Sequence, residues 1–550
     1  MRLLSIAALL LLTSLRAPGE GHLIVLVSID QLRQDYLNRF EEDLTAGGFW
    51  MFRERGAIFT NAHFDYASTE TGPGHATIAT GAYGKTHGIV GNAWYDRQTR
   101  RSLYCVQDTT TTLLGASREG RSPRLLIGST IGDELRIGSA FGSKVIAISV
   151  KDRAAILMAG ALASGAFWFV DSTVVSSTYY TASLPEWVRR FNAAGHINSY
   201  YGALWDRALP EARYRRLDRD DAPYENGGSG LGRTFPHRID GGSPGTITAS
   251  YYAALRASPF ANTLTVALAM EALEAEGLGT RGVTDMLAVS LSANDYVGHA
   301  FGPHSHEVFD LMVRTDSLLA RFWKHLDATV GLEHCTIALT SDHGVAPIPE
   351  YISTRVPGAG AHRVDFKDLR SRLDARLASL PPPASLGSGW IEHIEGDNIY
   401  LDRHAVSTAG LSLDAAGRIL AEELGSLDEV FAVYTRSDIL LSPATTPLER
   451  RVRNSFFESR SGDLVIVLKP FLLSGTYSTG TSHGSPYPYD THVPVMLAGN
   501  AIRPGVYDAT ASPADIAPTL AVALGIELPS QHTGRVLQEA LLHADRRLER

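Results

Sequence analysis

The chain has 550 residues, 44% of them hydrophobic and 20% charged, with a formal net charge of -9 at pH 7. This balance is that of a globular protein, and the length indicates either several domains or one large α/β domain with insertions. The charge is spread without long like-charge blocks, which argues against a dedicated nucleic-acid partner but leaves room for an anionic substrate at a local cationic site.

The N-terminus reads MRLLSIAALLLLTSLRAPGEG, in which one arginine precedes an apolar run from Leu3 to Leu12. This pattern is typical of a secretory signal peptide, and the run is too short to span a bilayer comfortably. We assign it to residues 1–20, with a buried N-terminal helix as the alternative. No later stretch reaches transmembrane length, so the sequence predicts a periplasmic or secreted protein without a transmembrane anchor.

Four apolar, β-branched runs have the pattern of buried parallel strands, and each ends in polar or charged residues. In chain order they are HLIVLVSID, KVIAISVKDR, DMLAVSLSAND and CTIALTSDHG. Helical patterns lie between them, such as the segment Glu307–Asp327. The alternation predicts an α/β fold with a mostly parallel central sheet and helices on both faces.

Two stretches interrupt this core and are interpreted as insertions. Residues 186–255 are rich in Arg, Asp, Gly, Pro and Tyr and have weak periodicity. Residues 362–470 contain two helical patterns, the loop PPPASLGSG and four short strand patterns, which predicts a small α+β cap. The core then consists of residues 21–185, 256–361 and 471–550, and HVPVMLAG in the last part is a further predicted core strand.

The two cysteines are interpreted as separate thiols, although an exported protein could pair them. Cys335 opens the apolar run CTIALT and is predicted to lie in the core. Cys105, in RSLYCVQD, is predicted to lie in a strand.

The ends of the predicted strands carry the residues that could do chemistry, because ligands of such sheets bind at the carboxyl ends of the strands. Those ends hold two cations, Lys151 and Arg153, and a set of candidate metal ligands: Asp30, Asp295, Asp342 and His343. His299 follows Asp295 by four residues, which puts both side chains on one face of a helical turn. His483 lies in a Gly/Ser/Pro-rich loop. Three aspartates and three histidines could hold two divalent metals, although each residue alone also fits a cap or a turn.

The segment TETGPGHATIATG places Thr71 in a turn before a small-residue helix. A threonine hydroxyl is a weak nucleophile unless a base or a metal ion activates it, and the candidate metal ligands would supply that activation. His75, in the same segment, is interpreted as a hydrogen-bonding residue of the turn.

Six segments occur in the order typical of the alkaline phosphatase superfamily: SID, TETGPGHATIATG, GIVGNAWYD, SANDYVGHAFGP, TSDHG and TSHGSPYPYDTHVPV. The chain resembles the type I phosphodiesterase/nucleotide pyrophosphatase branch, and within it the bacterial monoesterases of the PafA-type alkaline phosphatases. The resemblance covers most of the core and is weakest across the two insertions. It implies two zinc ions and a phosphorylated threonine at Thr71 rather than at Thr69. From ligand type alone, a site with three aspartates could also accept manganese.

The resemblance also implies how the metal ligands divide. One zinc ion would be held by Asp295, His299 and His483. The other would be held by Asp30, Asp342, His343 and the nucleophile Thr71. His492, in DTHVP, is a poorer match to the family histidine than His483.

Three further residues bear on the class of phosphate ester. Asn92 resembles the family asparagine whose amide donates to a phosphoryl oxygen, and Lys151 and Arg153 resemble the paired cations of the PafA-type monoesterases. A monoester dianion exposes more charge than a diester, so donors and cations aimed at that charge favour the monoester transition state. From the residues alone, VKDR could instead be a solvated turn that follows a strand.

The sequence thus predicts an exported, zinc-dependent alkaline phosphatase that acts on small phosphorylated substrates, with a monomer favoured. The main alternative is a nucleotide pyrophosphatase or phosphodiesterase on the same scaffold. A non-catalytic metal- or phosphate-binding protein is disfavoured because every ligand and nucleophile position of the motifs is filled. A sulfatase is disfavoured because Thr71 does not stand in the C/S-x-P-x-R setting of sulfatases.

Overall fold

A computed structural model describes residues 22–45, 47–381, 389–474 and 478–542 of the chain. The predicted signal peptide at residues 1–20 and most of the PPPASLGSG loop lie outside the described residues. Within the described ranges, no helix combines the length and the apolar character needed to cross a bilayer.

The strands of the described residues are mostly short, and the longest have eight residues. In chain order they are β1 His22–Ile29, β2 Gly56–Phe59, β3 Ala93–Asp96, β4 Arg101–Tyr104, β5 Gln107–Leu114, β6 Glu119–Arg121, β7 Val145–Ser149, β8 Gly165–Val170, β9 Thr173–Ser177, β10 Leu204–Trp205, β11 His237–Arg238, β12 Thr284–Leu291, β13 Cys335–Thr340, β14 His362–Val364, β15 Ile391–Glu395, β16 Asn398–Leu401, β17 Val430–Thr435, β18 Leu464–Leu468, β19 Leu472–Ser474, β20 Val495–Ala498 and β21 Gly505–Tyr507.

The helices range from single turns to the 24-residue α12. In chain order they are α1 Gln34–Arg39, α2 Met51–Arg55, α3 Thr71–Thr80, α4 Gly84–His87, α5 Ile131–Gly138, α6 Asp152–Ala159, α7 Glu186–Ala193, α8 Glu211–Tyr214, α9 Ala249–Arg256, α10 Pro259–Glu276, α11 Ala293–Phe301, α12 His306–Thr329, α13 Pro349–Arg355, α14 Phe366–Ser379, α15 Arg403–Thr408, α16 Leu413–Gly425, α17 Arg436–Leu441, α18 Pro447–Ser455, α19 Pro488–Thr491 and α20 Ile516–Leu524.

One large sheet forms the centre of the molecule, with the strand order β21-β2-β20-β13-β1-β12-β7-β8-β9-β5-β6 in the described residues. The five strands from β13 to β8 run parallel to one another, and β20 and β9 flank them in the antiparallel direction. The strands β2, β21 and β5 return to the direction of the central five, so eight of the eleven point the same way. The predicted mostly parallel α/β sheet is therefore confirmed.

The side chains of the central strands alternate between two hydrophobic cores, as the pleat of a strand requires. On β1, Leu23, Val25 and Val27 pack into one core with the long helices α10 and α12. Ile24 and Leu26 face the opposite side and pack with α3, α6 and α20. Because both faces are covered by helices, every residue of β1 after His22 is buried, which explains the continuous apolar run.

The predicted strands and helices of the core are found where the patterns placed them. The four apolar runs contain β1, β7, β12 and β13, HVPVMLAG contains β20, and the long helical pattern corresponds to α12. The prediction of a strand at Cys105 is wrong, because this residue lies in the two-residue turn between β4 and β5, where its N–H donates to Asn92 O (2.9 Å). Cys105 and Cys335 are both buried, free thiols, as predicted.

The proposed cap, residues 362–470, contains a four-stranded sheet of its own with the order β15-β16-β18-β17. The helices α14, α15 and α16 cover that sheet and share with it a separate hydrophobic core that includes Leu373, Trp390 and Leu420. The chain passes between core and cap through β14 and β19, which pair in parallel. The cap is thus connected to the core through this pair of strands.

The proposed first insertion, residues 186–255, packs on α12 rather than forming a core of its own. Its aromatic residues, among them Trp205 and Tyr214, belong to the same hydrophobic cluster as the helices of the central sheet. Asp310 of α12 accepts hydrogen bonds from Trp205 Nε1 (2.6 Å) and from Ala208 N (2.6 Å). A buried carboxylate therefore fixes this segment beside the carboxyl ends of the strands.

Candidate active site

Four neighbouring strands of the sheet, β13, β1, β12 and β7, deliver charged side chains to one place at their carboxyl ends. Asp30 follows β1, Asp342 and His343 follow β13, Asp295 lies in the first turn of the helix after β12, and Lys151 follows β7. All five side chains are buried. The clustering expected at this edge of the sheet is observed.

Thr71 is the first residue of α3, and its side chain is fully buried beside this cluster. The sequence-based placement of Thr71 in a turn ahead of the helix is therefore wrong by a few residues. The helix approaches the end of β13 so closely that a Cβ atom at Gly74 would lie 2.2 Å from Asp342 O. The second glycine of TGPGH is thus required for α3 to reach the charged cluster.

The first group of candidate ligands, here called the Asp30 group, consists of Asp30, Asp342 and His343. His343 Nε2 lies 3.4 Å from both Asp30 Oδ1 and Asp342 Oδ2, and 3.5 Å from Thr71 Oγ1. These atoms converge as metal ligands would. The structure brings together the four residues assigned to one zinc ion.

The second group, here called the Asp295 group, consists of Asp295, His299 and His483. Asp295 Oδ1 lies 3.1 Å from His299 Nε2 and 3.5 Å from His483 Nε2. The rings of His483 and His343 stack with centroids 3.6 Å apart, so the two groups adjoin. A ligand atom of His343 also lies within 4.8 Å of Asp295 and His483 ligand atoms.

Each of the three histidines is oriented by a backbone carbonyl. In a neutral ring, an Nδ1–H that donates to a carbonyl leaves Nε2 without a proton, which is the form that binds a metal. The Nδ1 contacts are His343 with Gly344 O (2.9 Å), His299 with Thr481 O (2.7 Å) and His483 with Thr69 O (2.7 Å).

The Asp30 group has the electrostatic character of a cation site. Asp30 Oδ1 and Asp342 Oδ2 are buried and have no hydrogen-bond partner among the described residues. Burial raises the pKa of Asp30 to about 8, with the charge of Asp342 adding to the effect, and burial raises the pKa of Asp342 to about 6. A bound divalent cation would offset this crowding of negative charge, and mixed carboxylate and imidazole ligands suit zinc.

The electrostatics of Asp295 differ from those of Asp30. Burial would raise the pKa of Asp295, but the positive charges of His299 and Lys151 outweigh burial and hold that pKa well below its usual range. Burial lowers the pKa of His343 well below its ordinary value. The Asp295 side chain is thus held as a carboxylate and the His343 ring as a neutral imidazole, which are the forms that bind a metal.

Gln31 joins the two groups, and no sequence pattern pointed to it. Its backbone adopts the left-handed region (φ 64°), its N–H donates to Asp342 Oδ1 (3.2 Å), and its Nε2 donates to Asp295 Oδ1 (2.7 Å). A Cβ atom at Gly298 would lie 1.6 Å from Gln31 Oε1. The glycine of DYVGH therefore makes room for this bridge.

Lys151 lies between the two groups and beside Thr71. Its Nζ donates to Asp30 Oδ2 (2.5 Å), to Asp295 Oδ2 (2.6 Å) and to Thr71 Oγ1 (3.3 Å). The side chain is 2% exposed, so these contacts take place out of water. VKDR is therefore not a solvated turn.

Arg153 also contacts Thr71, from the first turn of α6. Its Nη2 lies 3.2 Å from Thr71 Oγ1, and its Nη1 lies 3.3 Å from Tyr104 OH. Its Nε is buried and has no hydrogen-bond partner among the described residues. The Nε/Nη2 edge of the guanidinium thus faces the Thr71 hydroxyl with one donor unused, and Tyr104, which no sequence pattern indicated, contacts the other side.

Asn92 is held so that its amide nitrogen is the free end. Gly72 N donates to Asn92 Oδ1 (2.8 Å), and Asn92 N donates to Glu70 Oε2 (2.8 Å). No described residue accepts a hydrogen bond from Asn92 Nδ2. The amide is therefore positioned to donate beside Thr71, and Glu70, a further residue without a sequence signal, fixes its backbone.

The competing assignments have other roles in the structure. Thr69 Oγ1 donates to Ser485 O (2.9 Å) and so supports the loop that carries His483. His75 hydrogen-bonds Thr71 O (2.9 Å) and Ser290 Oγ (3.0 Å), as the turn interpretation expected. His492 stacks on His63 and lies 2.8 Å from Thr60 O, so it is engaged outside both groups.

Two clefts adjoin residues that lie beside Thr71, although Thr71 itself is fully buried and lines neither of them. The cap cleft, of about 530 Å³, lies between the cap and the core and is lined by Asn92 and His483. The cation cleft, of about 450 Å³, lies beside the first insertion and is lined by Lys151, Arg153 and Arg256. A molecule bound in either cleft would therefore lie next to side chains that contact or flank Thr71.

The sequence also matches the model of a known protein family. The family model described as type I phosphodiesterase/nucleotide pyrophosphatase matches residues 24–492. The matched range contains Thr71, Lys151 and all six aspartates and histidines of the two groups.

Individual proteins are similar over nearly the whole chain. Alkaline phosphatase PafA of Elizabethkingia meningoseptica is 34% identical over 94% of this chain and 94% of its own. Alkaline phosphatase PhoV of Synechococcus elongatus is 34% identical over 94% of this chain and 92% of its own. A crystal structure of wild-type PafA superposes with a TM-score of 0.88 at 34% identity, covering 96% of this chain and all of that one.

Proposed function

Since the chain belongs to the type I phosphodiesterase/nucleotide pyrophosphatase family, we propose that it is an exported, metal-dependent alkaline phosphatase that hydrolyses phosphate monoesters through a phosphorylated Thr71. The names of the relatives PafA and PhoV support phosphatase activity. The observation that carries the choice of monoesters is local. Two cations, Lys151 and Arg153, contact one buried hydroxyl, that of Thr71.

The proposed metal ions are two zinc ions. The Asp30 group together with Thr71 would hold one, and the Asp295 group would hold the other, as the unpaired buried oxygens and the free Nε2 atoms support. Bound zinc would supply positive charge that favours the alkoxide of Thr71 and stabilises the departing oxygen.

In the first step, Thr71 Oγ1 attacks phosphorus in line with the departing alcohol, so a bond to Thr71 forms as the bond to the alcohol oxygen breaks. Arg153 is placed to donate through Nε and Nη2 to two phosphoryl oxygens, because one donor of this edge is unused. Asn92 Nδ2 donates to an oxygen on the other side, and Lys151 adds a point charge. Three groups of this chain thus match the three charged oxygens of a monoester.

In the second step, water displaces Thr71 from phosphorus and inorganic phosphate leaves. The bond from phosphorus to Thr71 breaks as the bond to water oxygen forms, and the threonine hydroxyl is restored. The same three donors face the same three oxygens, since both displacements occur at one phosphorus atom. The phosphoryl group therefore does not have to move between subsites.

The proposal is tested with the ratio of kcat/KM for p-nitrophenyl phosphate over bis-p-nitrophenyl phosphate on zinc-loaded protein. We expect a strong monoester preference in the wild type. In Arg153→Ala, the loss of one donor to the transition state should lower monoester kcat/KM by about 10²-fold while diester kcat/KM changes little. Lys151→Ala is measured alongside, with its zinc content, because its side chain contacts two ligand carboxylates.

Arg118→Ala is the matched control, because this arginine is 57% exposed and pairs with Asp171 away from the site. It should leave the ratio unchanged. A wild-type preference for the diester would overturn the monoesterase proposal in favour of a phosphodiesterase. A monoester preference that survives Arg153→Ala would overturn the role given to the arginine.

Export is supported by the signal pattern of residues 1–20, which lie outside the described residues. The division into core, first insertion and cap is supported by the separate hydrophobic core of the cap. Small phosphorylated molecules are the proposed substrates because Asn92, Lys151 and Arg153, which lie beside Thr71, line two clefts of moderate volume.

A further inference from the structure

The cap reaches the active site through one hairpin. The strands β15 and β16 pair as Glu395 with Asn398, which leaves Gly396 and Asp397 as a two-residue turn. Gly396 has φ 56°, a conformation that glycine adopts readily in such turns. A Cβ atom at Gly396 would lie 3.9 Å from Glu70 Oε1, so the turn lies against the residue that precedes the nucleophile.

The lining of the cap cleft is predominantly negative. Its four carboxylates are Glu70, Glu395, Asp397 and Asp490, and its one lysine is Lys469. Three of the carboxylates have partners in the structure. Asn92 N donates to Glu70, Ser485 N and Oγ donate to Asp490, and His393 Nε2 lies 3.2 Å from Glu395 Oε2.

Asp397 is the exception among these four. Its carboxylate has no hydrogen bond or ion pair with any described residue, although the side chain is half-buried. Burial raises the pKa of Asp397 to about 7, and the negative charges of Glu70 and Asp490 add to this shift. The hairpin therefore carries an unpaired acid into a part of the cleft that is already negative, and no structural role explains it.

Aromatic rings complete this part of the cleft. Tyr487 and Tyr489 both line it, with ring centroids 5.6 Å apart. Their polar ends are occupied, because Tyr487 OH donates to Leu468 O (2.6 Å) and Tyr489 OH accepts from Phe471 N (3.3 Å). A carboxylate together with aromatic rings is the chemistry that recognises ammonium groups.

The cation cleft has the opposite balance of charge. Its lining contains three cations, Lys151, Arg153 and Arg256, and one carboxylate, Asp295, which pairs with Lys151, whereas the guanidinium of Arg256 pairs with none of the described residues. An ammonium group would be repelled there and attracted to the cap cleft. An ammonium group on the substrate would therefore be directed to the cap cleft rather than to the cation cleft.

We propose that the cap cleft binds the alcohol part of the substrate and selects alcohols that carry an ammonium group, with Asp397 as the charge partner and Tyr487 and Tyr489 as the aromatic walls. This inference rests on the proposed phosphate monoesterase function and specifies its substrate class. The phosphoryl group lies at Thr71, Asn92 and Arg153, and the cap cleft begins at Asn92 and His483. The phosphate esters of amino alcohols therefore fit the site.

The test compares two esters of the same shape, choline phosphate and 3,3-dimethylbutyl phosphate, on zinc-loaded protein at pH 9, where Asp397 is ionised. The ratio of their kcat/KM values includes a difference in intrinsic reactivity, so the informative quantity is the change of that ratio in Asp397→Asn. We expect the ratio to fall at least about tenfold, with the neutral ester changing less than about threefold, because only the ammonium ester loses a charge partner.

Asp428→Asn is the matched control, because Asp428 is exposed on the cap and does not line the cleft. It should leave the ratio at the wild-type value. Tyr487→Leu should lower the ratio for the quaternary ammonium ester while keeping the neutral ester as a substrate. An Asp397→Asn ratio equal to that of the wild type would overturn the inference.

The outcomes separate this inference from the function on which it rests. If zinc-loaded wild type hydrolyses neither ester nor p-nitrophenyl phosphate, the monoesterase proposal fails. Calorimetric titration with choline then tests the cleft by itself. Binding that is lost in Asp397→Asn supports the cleft assignment, and absence of binding to the wild type overturns it.

Discussion

The Thr71 hydroxyl is surrounded by groups that come from distant parts of the chain. Lys151 and Arg153 donate to it, His343 lies 3.5 Å away, and Asn92 is tied to the next residue through Gly72 N. A hydroxyl in this setting has its oxygen fixed before any substrate arrives. Preorganisation of this kind is what a positioned nucleophile requires.

We expect Thr71→Ala to abolish phosphoenzyme formation while the protein keeps its bound metal. Asp30, Asp342 and His343 would remain as ligands of one metal ion, and the Asp295 group would be unchanged. The activity should fall by at least about 10³-fold, because the nucleophile itself is removed. Acid quenching during turnover, followed by mass spectrometry of the Thr71 peptide, measures the phosphoenzyme, and elemental analysis measures the metal.

Thr69→Ala is the control for this experiment, since its hydroxyl donates to Ser485 O rather than to the site. It should still form the phosphoenzyme. Recovery of phosphate on Thr69 in the Thr71→Ala protein would contradict the assignment of the nucleophile.

The ligand residues could be proposed from the sequence, whereas the residues that orient them could not. Asp30, Asp342 and His343 follow apolar strands, and strand ends meet in a parallel sheet. Gln31 carries no such signal, because its role depends on a positive φ and on two contacts with residues far away in the chain. Tyr104 likewise acts only through Arg153.

At the scale of single elements, α3 depends on the short helix α4 that follows it. His87, at the end of α4, accepts a hydrogen bond at Nδ1 from Ile89 N (3.1 Å), so its Nε2–H donates to Thr77 Oγ1 of α3 (3.2 Å). The ring is fully buried in one neutral tautomer. Burial, together with the charge of Arg460, lowers the pKa of His87 to about 3.

This histidine predicts a loss of stability in acid. In the unfolded state His87 has a pKa near 6.5. Between that pH and about 3, the unfolded state therefore binds a proton at His87 and the folded state does not. The cost is about 1.4 kcal/mol for each pH unit, or about 2 kcal/mol at pH 5. The difference in the free energy of unfolding between wild type and His87→Gln should therefore be about 2 kcal/mol smaller at pH 5 than at pH 7.

Urea unfolding at the two pH values measures this difference, and metal loss in acid affects both proteins alike. An equal difference at pH 5 and pH 7 would contradict a neutral, buried His87. The ring-nitrogen chemical shifts of His87 provide an independent control, since they should report the same tautomer at both values.

The buried central strands could be predicted from the sequence, and so could amphipathic helices of the cap such as α16, whereas the exposed strand β5 could not. The central strands are apolar on both faces and therefore form continuous runs, as in β1 and β13. The strand β5, with the sequence QDTTTTLL, is partly exposed and carries no apolar alternation, so nothing in its pattern predicted a strand. Its hydrogen bonds to β6 and β9 determine its structure instead.

At the scale of the whole molecule, the Asp30 group and the Asp295 group connect parts of the core that are far apart in sequence. The Asp30 group joins β1 to β13, and the Asp295 group joins α11 to the loop of His483. Without a cation, Asp30 and Asp342 bring two carboxylates together in a buried place. Removal of the metals should therefore loosen the carboxyl edge of the sheet.

We expect chelation to lower the melting temperature of the protein by about 3–4 °C for each metal ion removed, because a ligand present at 10³ times its Kd stabilises the folded state by about 4 kcal/mol and a chain of this length unfolds with an entropy of about 1.2 kcal/mol/K. Differential scanning calorimetry with and without zinc measures this shift. Asp342→Asn should reduce the shift, since one ligand is lost, while the cap variant Asp428→Asn should keep it. An equal melting temperature for zinc-loaded and chelated wild type would contradict a structural contribution of the metals.

The position of β1 in the sheet has a consequence for biosynthesis. This strand is the first to be synthesised, yet its two neighbours, β12 and β13, begin at Thr284 and Cys335. A nascent chain therefore carries an apolar strand with both edges unpaired until most of the protein has been translated, a state prone to aggregation. His483, a proposed metal ligand, is translated later still, so the candidate site is incomplete until that residue has been made.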